Sequence, residues 1–413
     1  MWYIVGIHPA ISRPPTAVVA GHDGKQAQTV QRLKPLDTLR NFMTCLVIYF
    51  HIAIVYGGEG EWPYVEAKKT DAILTLFIAL CQSFFMAAFF VISGYFSAAS
   101  LKRVLSRAQR TGQNRACAAW DYFKKRLLRL GLPSVVYTLV FHAMALAFAR
   151  GERFDWTFYK SYLAEQRAWP GIRGPLWYCA TTLVFDAVYA LHAALNLPAL
   201  PVGRFTPPIL LFAEPIFSYV WRQAFPLGSA VVALGMSPAY LPQYTLAYFT
   251  GVFLSERPQL LFPPHPSKWT SPLPGLALFA TYSAFAFRHA PTLALLSDAS
   301  PLFKRWQWDS AALVYSIWNE LGFAALTHLC VRGAQMWSEM FDDPNNSGQG
   351  RLARLAFGAY IVHGPLCTLI PYQLRWLALP PIPKTVFVGT LCTVASYIGS
   401  ALLMQIPGAS KVL

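Results

Sequence analysis

Two residues in the first long apolar run have side chains that could do chemistry inside a membrane. Arg40 and His51 lie in the stretch LDTLRNFMTCLVIYFH, Leu36 to His51. An ionisable group deep in a membrane helix is costly, so it usually faces a cavity or a partner. The two residues are therefore candidates for a functional site.

The spacing of these residues predicts that they share one helix face. They are eleven residues apart, which at about 100° per residue is three turns plus about 20° and a rise of about 16 Å. Asp37 precedes Arg40 by three residues and falls on nearly the same stripe. It is about 21 Å of helix from His51, so we expect it to pair with Arg40 instead.

A fixed cation at one end of a stripe and a titratable imidazole at depth suit an extended anionic molecule. Coenzyme A thioesters have this shape, with phosphates at one end and a reactive carbonyl at the other. The unperturbed pKa of His, about 6.5, suits it to accept a proton near neutral pH. Two interpretations without catalysis stay open, since an Arg near a helix end can extend to the lipid headgroups and a buried His can be a packing residue.

The elements that must position these residues are membrane helices. The chain has 413 residues, of which 55% are hydrophobic and only 13% charged, with a mean hydropathy of +0.37; soluble domains carry about 25% charged residues. Many apolar runs approach the roughly 20 residues that a spanning helix needs. They are Leu36–Tyr56, Ala72–Phe96, Pro133–Ala149, Leu176–Leu195, Pro208–Trp221, Tyr240–Leu254, Leu273–Phe287, Ala311–Val331, Leu355–Ile370 and Val386–Met404. We predict an all-α, polytopic membrane protein with about ten transmembrane helices, a mobile cytoplasmic tail at 1–34 and one membrane domain at 35–406.

The net charge of +15 does not indicate nucleic-acid binding, because membrane proteins concentrate Lys and Arg on the cytoplasmic side. The densest basic cluster follows the second apolar run and comprises Lys102, Arg103, Arg107, Arg110, Arg115, Lys124, Lys125, Arg126 and Arg129. With this cluster inside and an even number of spans, both termini are cytoplasmic. Anionic membrane lipids alone could account for the cluster; the alternative is a ligand role.

Arg126 and Arg129 are three residues apart and are predicted to share a helix face. Paired guanidiniums recognise phosphates well because each offers a planar fork of donors. Together with Arg40 they are predicted to bind the phosphates of the donor.

Three further residues are predicted to line a substrate cavity. Trp177 could also sit at a membrane interface, and His363, followed by Gly364-Pro365, could also cap a broken helix. Glu320 is an acid inside an apolar run, where such groups usually face a cavity or a partner. Gly94, in the sequence VISGYF, is interpreted as a point of close helix packing.

Six segments, in order, resemble the membrane-bound acyltransferase-3 family, and most of all its branch of glucan succinyltransferases. They begin with the Arg-x10-His pattern of Arg40 and His51, and they span about Leu36 to Met404. The other five are FFMAAFFVISGYF, FKKRLLRLGLPSVVY, GPLWYCATTLVFDAVYAL, LPQYTLAYFTGVFL and LARLAFGAYIVHGPL. The chain departs from the family pattern at Asn41, where Gly is common, and at His363-Gly364-Pro365, where His-Pro is common.

This resemblance implies an enzyme that moves an acyl group, such as acetyl or succinyl, from acyl-CoA to a hydroxyl of a sugar, glycan, lipid or small natural product. Its first-helix Arg and His are the residues most tied to activity, so His51 would be the general base and Arg40 its catalytic companion. Direct transfer is favoured over an acyl-enzyme because no activated nucleophile is visible.

No metal is expected as a cofactor, because the seven cysteines form no Cys-x-x-Cys pair and no metal motif occurs. Two other classes of function stay open at this point. One is a transporter or flippase for an anionic or acylated solute, in which Arg40 and His51 would serve as ligand and proton site. The other is a lipid-binding scaffold.

Overall fold

The computed structural model describes residues 34–168, 170–198, 206–227, 229, 231, 233–263, 271–289, 310–340, 348–409 and 412. Only Lys34 of the predicted tail, 1–34, lies in this part of the chain. The regular structure of the described residues is helical, apart from one isolated bridge between Val231 and Met236. The chain is an all-α membrane protein, as the composition predicted.

Eleven helices of ten or more residues are described. They are α1 (Lys34–Val55), α2 (Ala72–Thr111), α3 (Arg115–Arg150), α4 (Trp156–Ala168), α5 (Trp177–Ala194), α6 (Thr206–Ala224), α7 (Leu241–Glu256), α8 (Leu273–His289), α9 (Ser310–Met340), α10 (Gly348–Gln373) and α11 (Pro381–Leu403). Short 3₁₀ turns at Gly174–Leu176 and Pro238–Tyr240 lead into α5 and α7.

Five of the described helices are long and apolar enough to cross a membrane: α1, α2, α3, α10 and α11. The predicted number of about ten spans is not confirmed by this criterion. Helix α2 has 40 residues and a length of about 60 Å, roughly twice the hydrocarbon thickness. Its basic last turns therefore extend well beyond the apolar layer.

Helix α3 contains two π-helical turns, Leu127–Gly131 and Tyr137–Phe141. Pro133 has no N–H to offer the carbonyl of Arg129, four residues earlier. In the first π turn, just before Pro133, the N–H of Leu132 donates to the carbonyl of Leu127, five residues earlier, and not to the carbonyl four residues earlier as in an α-helix. A π turn changes the angular spacing of side chains, so Arg126 and Arg129 do not keep the spacing of an ideal α-helix.

Helix α1 packs against α10 and α11, which also contact each other, and against α2 and α9. The guanidinium of Arg40 meets the carbonyl of Ala353, and His51 lies beside His363, so α1 and α10 run in the same direction. Helix α11 runs the opposite way, because its early residue Thr390 bonds Tyr49 and its late residue Tyr397 bonds Asn41.

Two glycines allow α2 and α7 to cross in close contact. A Cβ on Gly94 would overlap the carbonyl of Tyr248, and a Cβ on Gly251 would overlap the carbonyl of Val91. Small residues of this kind let helix backbones approach in membrane proteins. The interpretation of Gly94 as a packing residue is confirmed.

Replacing Gly94 by Ala is expected to lower the thermal midpoint of the detergent-solubilised protein by several degrees, because overpacking costs about 1–3 kcal/mol. Gly333→Ala is the matched control, since this helical glycine on α9 has nothing within 4 Å of an added Cβ. Both changes carry the same gain in helix propensity. Equal midpoints for the two variants would contradict the close crossing.

Candidate active site

His51 lies at the centre of a small cluster of rings. Its imidazole is half-buried, and its centroid is 3.9 Å from the Trp62 ring with an interplanar angle of 25°. The imidazole of His363 is also nearly parallel to it, at 5.3 Å and 23°. Of the residues predicted to line the cavity, His363 is the one that the fold brings to His51.

The ring of His363 is held in one tautomer. Its Nδ1 makes a short hydrogen bond to the carbonyl oxygen of Tyr360. A carbonyl can only accept, so Nδ1 carries the hydrogen and Nε2 holds a lone pair. His363 is fully buried, and its Nε2 has no hydrogen-bond partner among the described residues.

A second ring nitrogen in the cluster also lacks a partner. Nδ1 of His51 is buried and makes no hydrogen bond within the described part of the chain. Buried polar atoms are nearly always hydrogen-bonded, so each exception requires an explanation. Two such nitrogens on neighbouring rings mark a place where a polar substrate group could bind.

Trp62 reaches His51 from the segment between α1 and α2, and a proline of α10 explains how it is held. Pro371 has no N–H, so the carbonyl of Cys367 lacks its usual helical donor. The indole Nε1 of Trp62 donates to that carbonyl at 3.2 Å. The indole therefore takes the place of the missing backbone donor, and this bond holds it beside His51.

At the other end of α1, Arg40 donates to Asp37 at 3.0 Å and to the carbonyl of Ala353 at 2.6 Å. The predicted pairing of Asp37 with Arg40 is confirmed. Ala353 and His363 are ten residues apart on α10, a rise of about 15 Å. Arg40 and His51 thus both face α10, in agreement with the shared face that their spacing predicted.

Arg126 and Arg129 point to different neighbours. Arg126 forms an ion pair of 2.5 Å with the fully buried Asp186 on α5. The same carboxylate accepts hydrogen bonds from Ser97, Tyr122 and Tyr248. The guanidinium of Arg129 lies over the ring of Phe357 on α10, 5.8 Å from its centroid.

Arg129 rather than Arg126 therefore joins Arg40 beside α10. Phe357 and Ala353 are four residues apart, so the contacts of Arg129 and Arg40 fall on one face of that helix, a turn apart. These two cations could hold an anionic group. Within the described ranges, no group of three or more His, Cys, Asp or Glu residues is arranged as a metal site.

Among the described residues, Trp177 and Glu320 have partners other than His51, Trp62 and His363. Trp177 belongs to an aromatic layer, with its ring 5.6 Å from Tyr244 and 6.4 Å from Phe90. Glu320 is buried among partners and accepts hydrogen bonds from Ser218, Arg222, Gln243 and Asn319.

Sequence reasoning missed Trp62, Asp186 and Arg222. Asp186 carried the signal that singled out Glu320, an acid inside an apolar run. Trp62 carried no such signal, because it lies in a short connection 305 residues before the carbonyl that it binds.

The described helices form an all-α membrane protein with a histidine pair between α1 and α10 and arginines toward the N-terminal ends of these two helices. The sequence profile described as the acyltransferase domain, acyltransferase 3, matches residues 34–403, and the chain belongs to this family.

Individual relatives carry the name glucans biosynthesis protein C. The protein of that name from one Escherichia coli strain is 24% identical over 396 residues, covering 91% of each chain. The counterpart from another Escherichia coli strain is 43% identical over 67 residues, which are 16% of this chain and 17% of the relative. The second match thus covers less than a fifth of the relative's length. No solved structure is significantly similar to this chain.

Replacing Asp186 by Asn is expected to destabilise the protein by about 3–5 kcal/mol, because it leaves a buried guanidinium without its counter-charge. The measurement is the unfolding transition of the purified protein in detergent. Asp121→Asn is the control, since its ion pair with Lys124 is half-exposed, at 42% and 53%, and exposed pairs contribute little. If both variants lose a similar amount of unfolding free energy, the Arg126–Asp186 pair contributes no more to stability than an exposed ion pair.

Proposed function

We propose that this protein transfers an acyl group, such as acetyl or succinyl, from acyl-CoA to a hydroxyl group of a glycan. The observation that carries the proposal is the pair of His51 and His363, each with a buried ring nitrogen that lacks a partner among the described residues. The family supplies the acyl transfer. The relatives' name, glucans biosynthesis protein C, suggests a carbohydrate acceptor.

In the proposed reaction His51 is the general base. It accepts the proton of the acceptor hydroxyl while the hydroxyl oxygen attacks the thioester carbonyl carbon. The carbon–sulfur bond then breaks, and the proton on His51 passes to the departing thiolate. The products are an ester and free coenzyme A, so His51 returns to its starting state.

His363 is suited to assist because its tautomer leaves Nε2 as an acceptor. A hydroxyl or water that donates to Nε2 of His363 would lie beside the ring of His51. We assign His363 to binding of the acceptor hydroxyl.

Arg40 and Arg129 are assigned to the phosphates of the donor, because both lie against the same face of α10, on the N-terminal side of His363. Arg126 is already paired with the fully buried Asp186, so in the proposal it makes no direct phosphate contact. We infer from the basic cluster that the donor end of the site faces the cytoplasm, and that both termini do so with an even number of spans.

Membrane lipids are the remaining partner, since the basic cluster would also attract anionic headgroups. That Trp177 and Glu320 line the substrate cavity stays a prediction. The contacts of Glu320 with Arg222 and Gln243 favour a structural role for this carboxylate.

Replacing His51 by Gln is expected to lower kcat for transfer by about 10²–10⁴-fold, the contribution typical of a positioned general base. The measurement is ester formation by the purified protein from labelled acetyl- or succinyl-CoA and a glucan. His192→Gln is the control, because the only hydrogen bond that this half-buried side chain makes within the described residues is with the nearby carbonyl of Pro198.

Wild-type transfer by His51→Gln would overturn the role of the base. Uptake of labelled solute into vesicles, with no covalent product, would instead identify a transporter.

Replacing Arg129 by Ala is expected to raise the KM for acyl-CoA about 10- to 100-fold, the loss of one hydrogen bond to a charged group. The increase should shrink at high ionic strength, because salt already weakens phosphate binding in the wild type. Arg110→Ala is the matched control, being an exposed arginine of the same basic cluster. An unchanged KM in both variants would favour lipid headgroups as the reason for the cluster.

A further inference from the structure

The segment from Gly57 to Asp71 connects α1 to α2 and brings Trp62 against His51. The two rings are 3.9 Å apart at an interplanar angle of 25°. Trp62 is half-buried, so much of the indole is enclosed by protein. This contact has the shortest centroid separation of the ring contacts that His51 makes in the described part of the chain.

This segment is fastened at several points. Its backbone N–H groups at Glu66 and Ala67 both donate to the carbonyl of Val55, at the end of α1. The carboxylate of Glu66 forms an ion pair of 2.5 Å with Lys384, which is only 3% exposed. The fastening on two helices holds the segment that carries Trp62 in a fixed place.

A further aromatic contact holds the segment against α10. The ring of Tyr64 meets that of Tyr372 nearly edge-on, at 5.5 Å and 77°. Tyr372 directly follows Pro371, the residue that leaves the carbonyl of Cys367 for Trp62. One short stretch of α10 therefore anchors both aromatic residues of the segment.

Among the described residues, His51 does not have the hydrogen bond at Nδ1 that usually fixes a catalytic imidazole. In most sites of this kind, one ring nitrogen is hydrogen-bonded to a carboxylate or carbonyl that sets its tautomer and orientation. His363 has such a bond through Nδ1, whereas Nδ1 of His51 has no partner among the described residues. A stacked indole can restrict rotation of the ring in place of that bond.

We propose that Trp62 is a positioning residue for His51, and that Pro371 fixes the indole by leaving the Cys367 carbonyl free to accept from it. The inference rests on the proposed function, because it assumes that His51 acts as the base. Misplacement of a reacting group by about 1 Å can cost roughly 10²-fold in rate, so loss of the stack should appear in kcat.

The test uses the full-length protein in detergent, with transfer from labelled acyl-CoA to a glucan. Trp62→Ala is expected to lower kcat about 10- to 100-fold with the KM for acyl-CoA unchanged. Trp62→Phe keeps a ring but loses the N–H donor, so a smaller decrease is expected. Trp376→Ala is the matched control, because this tryptophan is 73% exposed, and its kcat should equal that of the wild type.

Pro371→Ala tests how the indole is held. Alanine restores the backbone N–H that competes for the Cys367 carbonyl, so kcat should fall about as far as in Trp62→Phe. The double variant with Pro371→Ala and Trp62→Phe should have a kcat no lower than that of the slower single variant, because both changes remove the same hydrogen bond. Full additivity of the two losses would overturn the role of Pro371.

A second measurement does not depend on transfer activity. The rate at which diethylpyrocarbonate modifies His51, read from the mass of its peptide, should rise in Trp62→Ala and stay unchanged in Trp376→Ala. Trp62→Phe provides this readout if the alanine variant fails to fold.

The outcomes separate the two hypotheses. If His51→Gln is inactive but the Trp62 variants keep wild-type kcat and modification rate, the positioning role is wrong and the proposed function stands. If the wild type transfers no acyl group, the proposed function fails. The stack is then tested by modification alone, and it is refuted if diethylpyrocarbonate modifies His51 at the same rate in Trp62→Ala as in the wild type.

Discussion

The contact between α1 and α10 is the constraint on which the rest of the site depends. The helices run in the same direction, and α1 presents Arg40 to Ala353 and, about 15 Å further along the helix, His51 to His363. Because both side chains leave α1 on the same side, a single helix–helix interface determines the relation between cation and base. A rotation of α1 by a fraction of a turn would turn both groups away from α10 together.

Prolines inside helices affect two parts of the candidate site. Every backbone donor and acceptor within a membrane needs a partner, and a proline inside a helix removes one donor. At Pro371 the missing donor is replaced by the indole of Trp62. At Pro133 the helix responds differently, by widening into a π turn near Arg129. In both places a local backbone defect determines where a side chain of the candidate site lies.

The parts of the site that were predictable from sequence are those fixed within one helix. The all-α membrane class, the Asp37–Arg40 pair and the common face of Arg40 and His51 follow from composition and from 3.6 residues per turn. The contact of Trp62 with His51 was not predictable, because it joins a connection to a distant carbonyl that only a proline had freed. The separate directions of Arg126 and Arg129 were missed because regular α-helical spacing was assumed across a π turn.

The charge balance of the described residues distinguishes between the three arginines predicted to bind the donor. Arg126 has a carboxylate partner in Asp186, and Arg40 has one in Asp37. Arg129 contacts the ring of Phe357 and has no ion-pair partner among the described carboxylates. Its charge is thus the one of the three that an incoming phosphate would neutralise without breaking an existing ion pair. An anion bound there would lie a helical turn from Arg40 along α10 and on the N-terminal side of the histidine pair, so that its reactive end could extend toward His51.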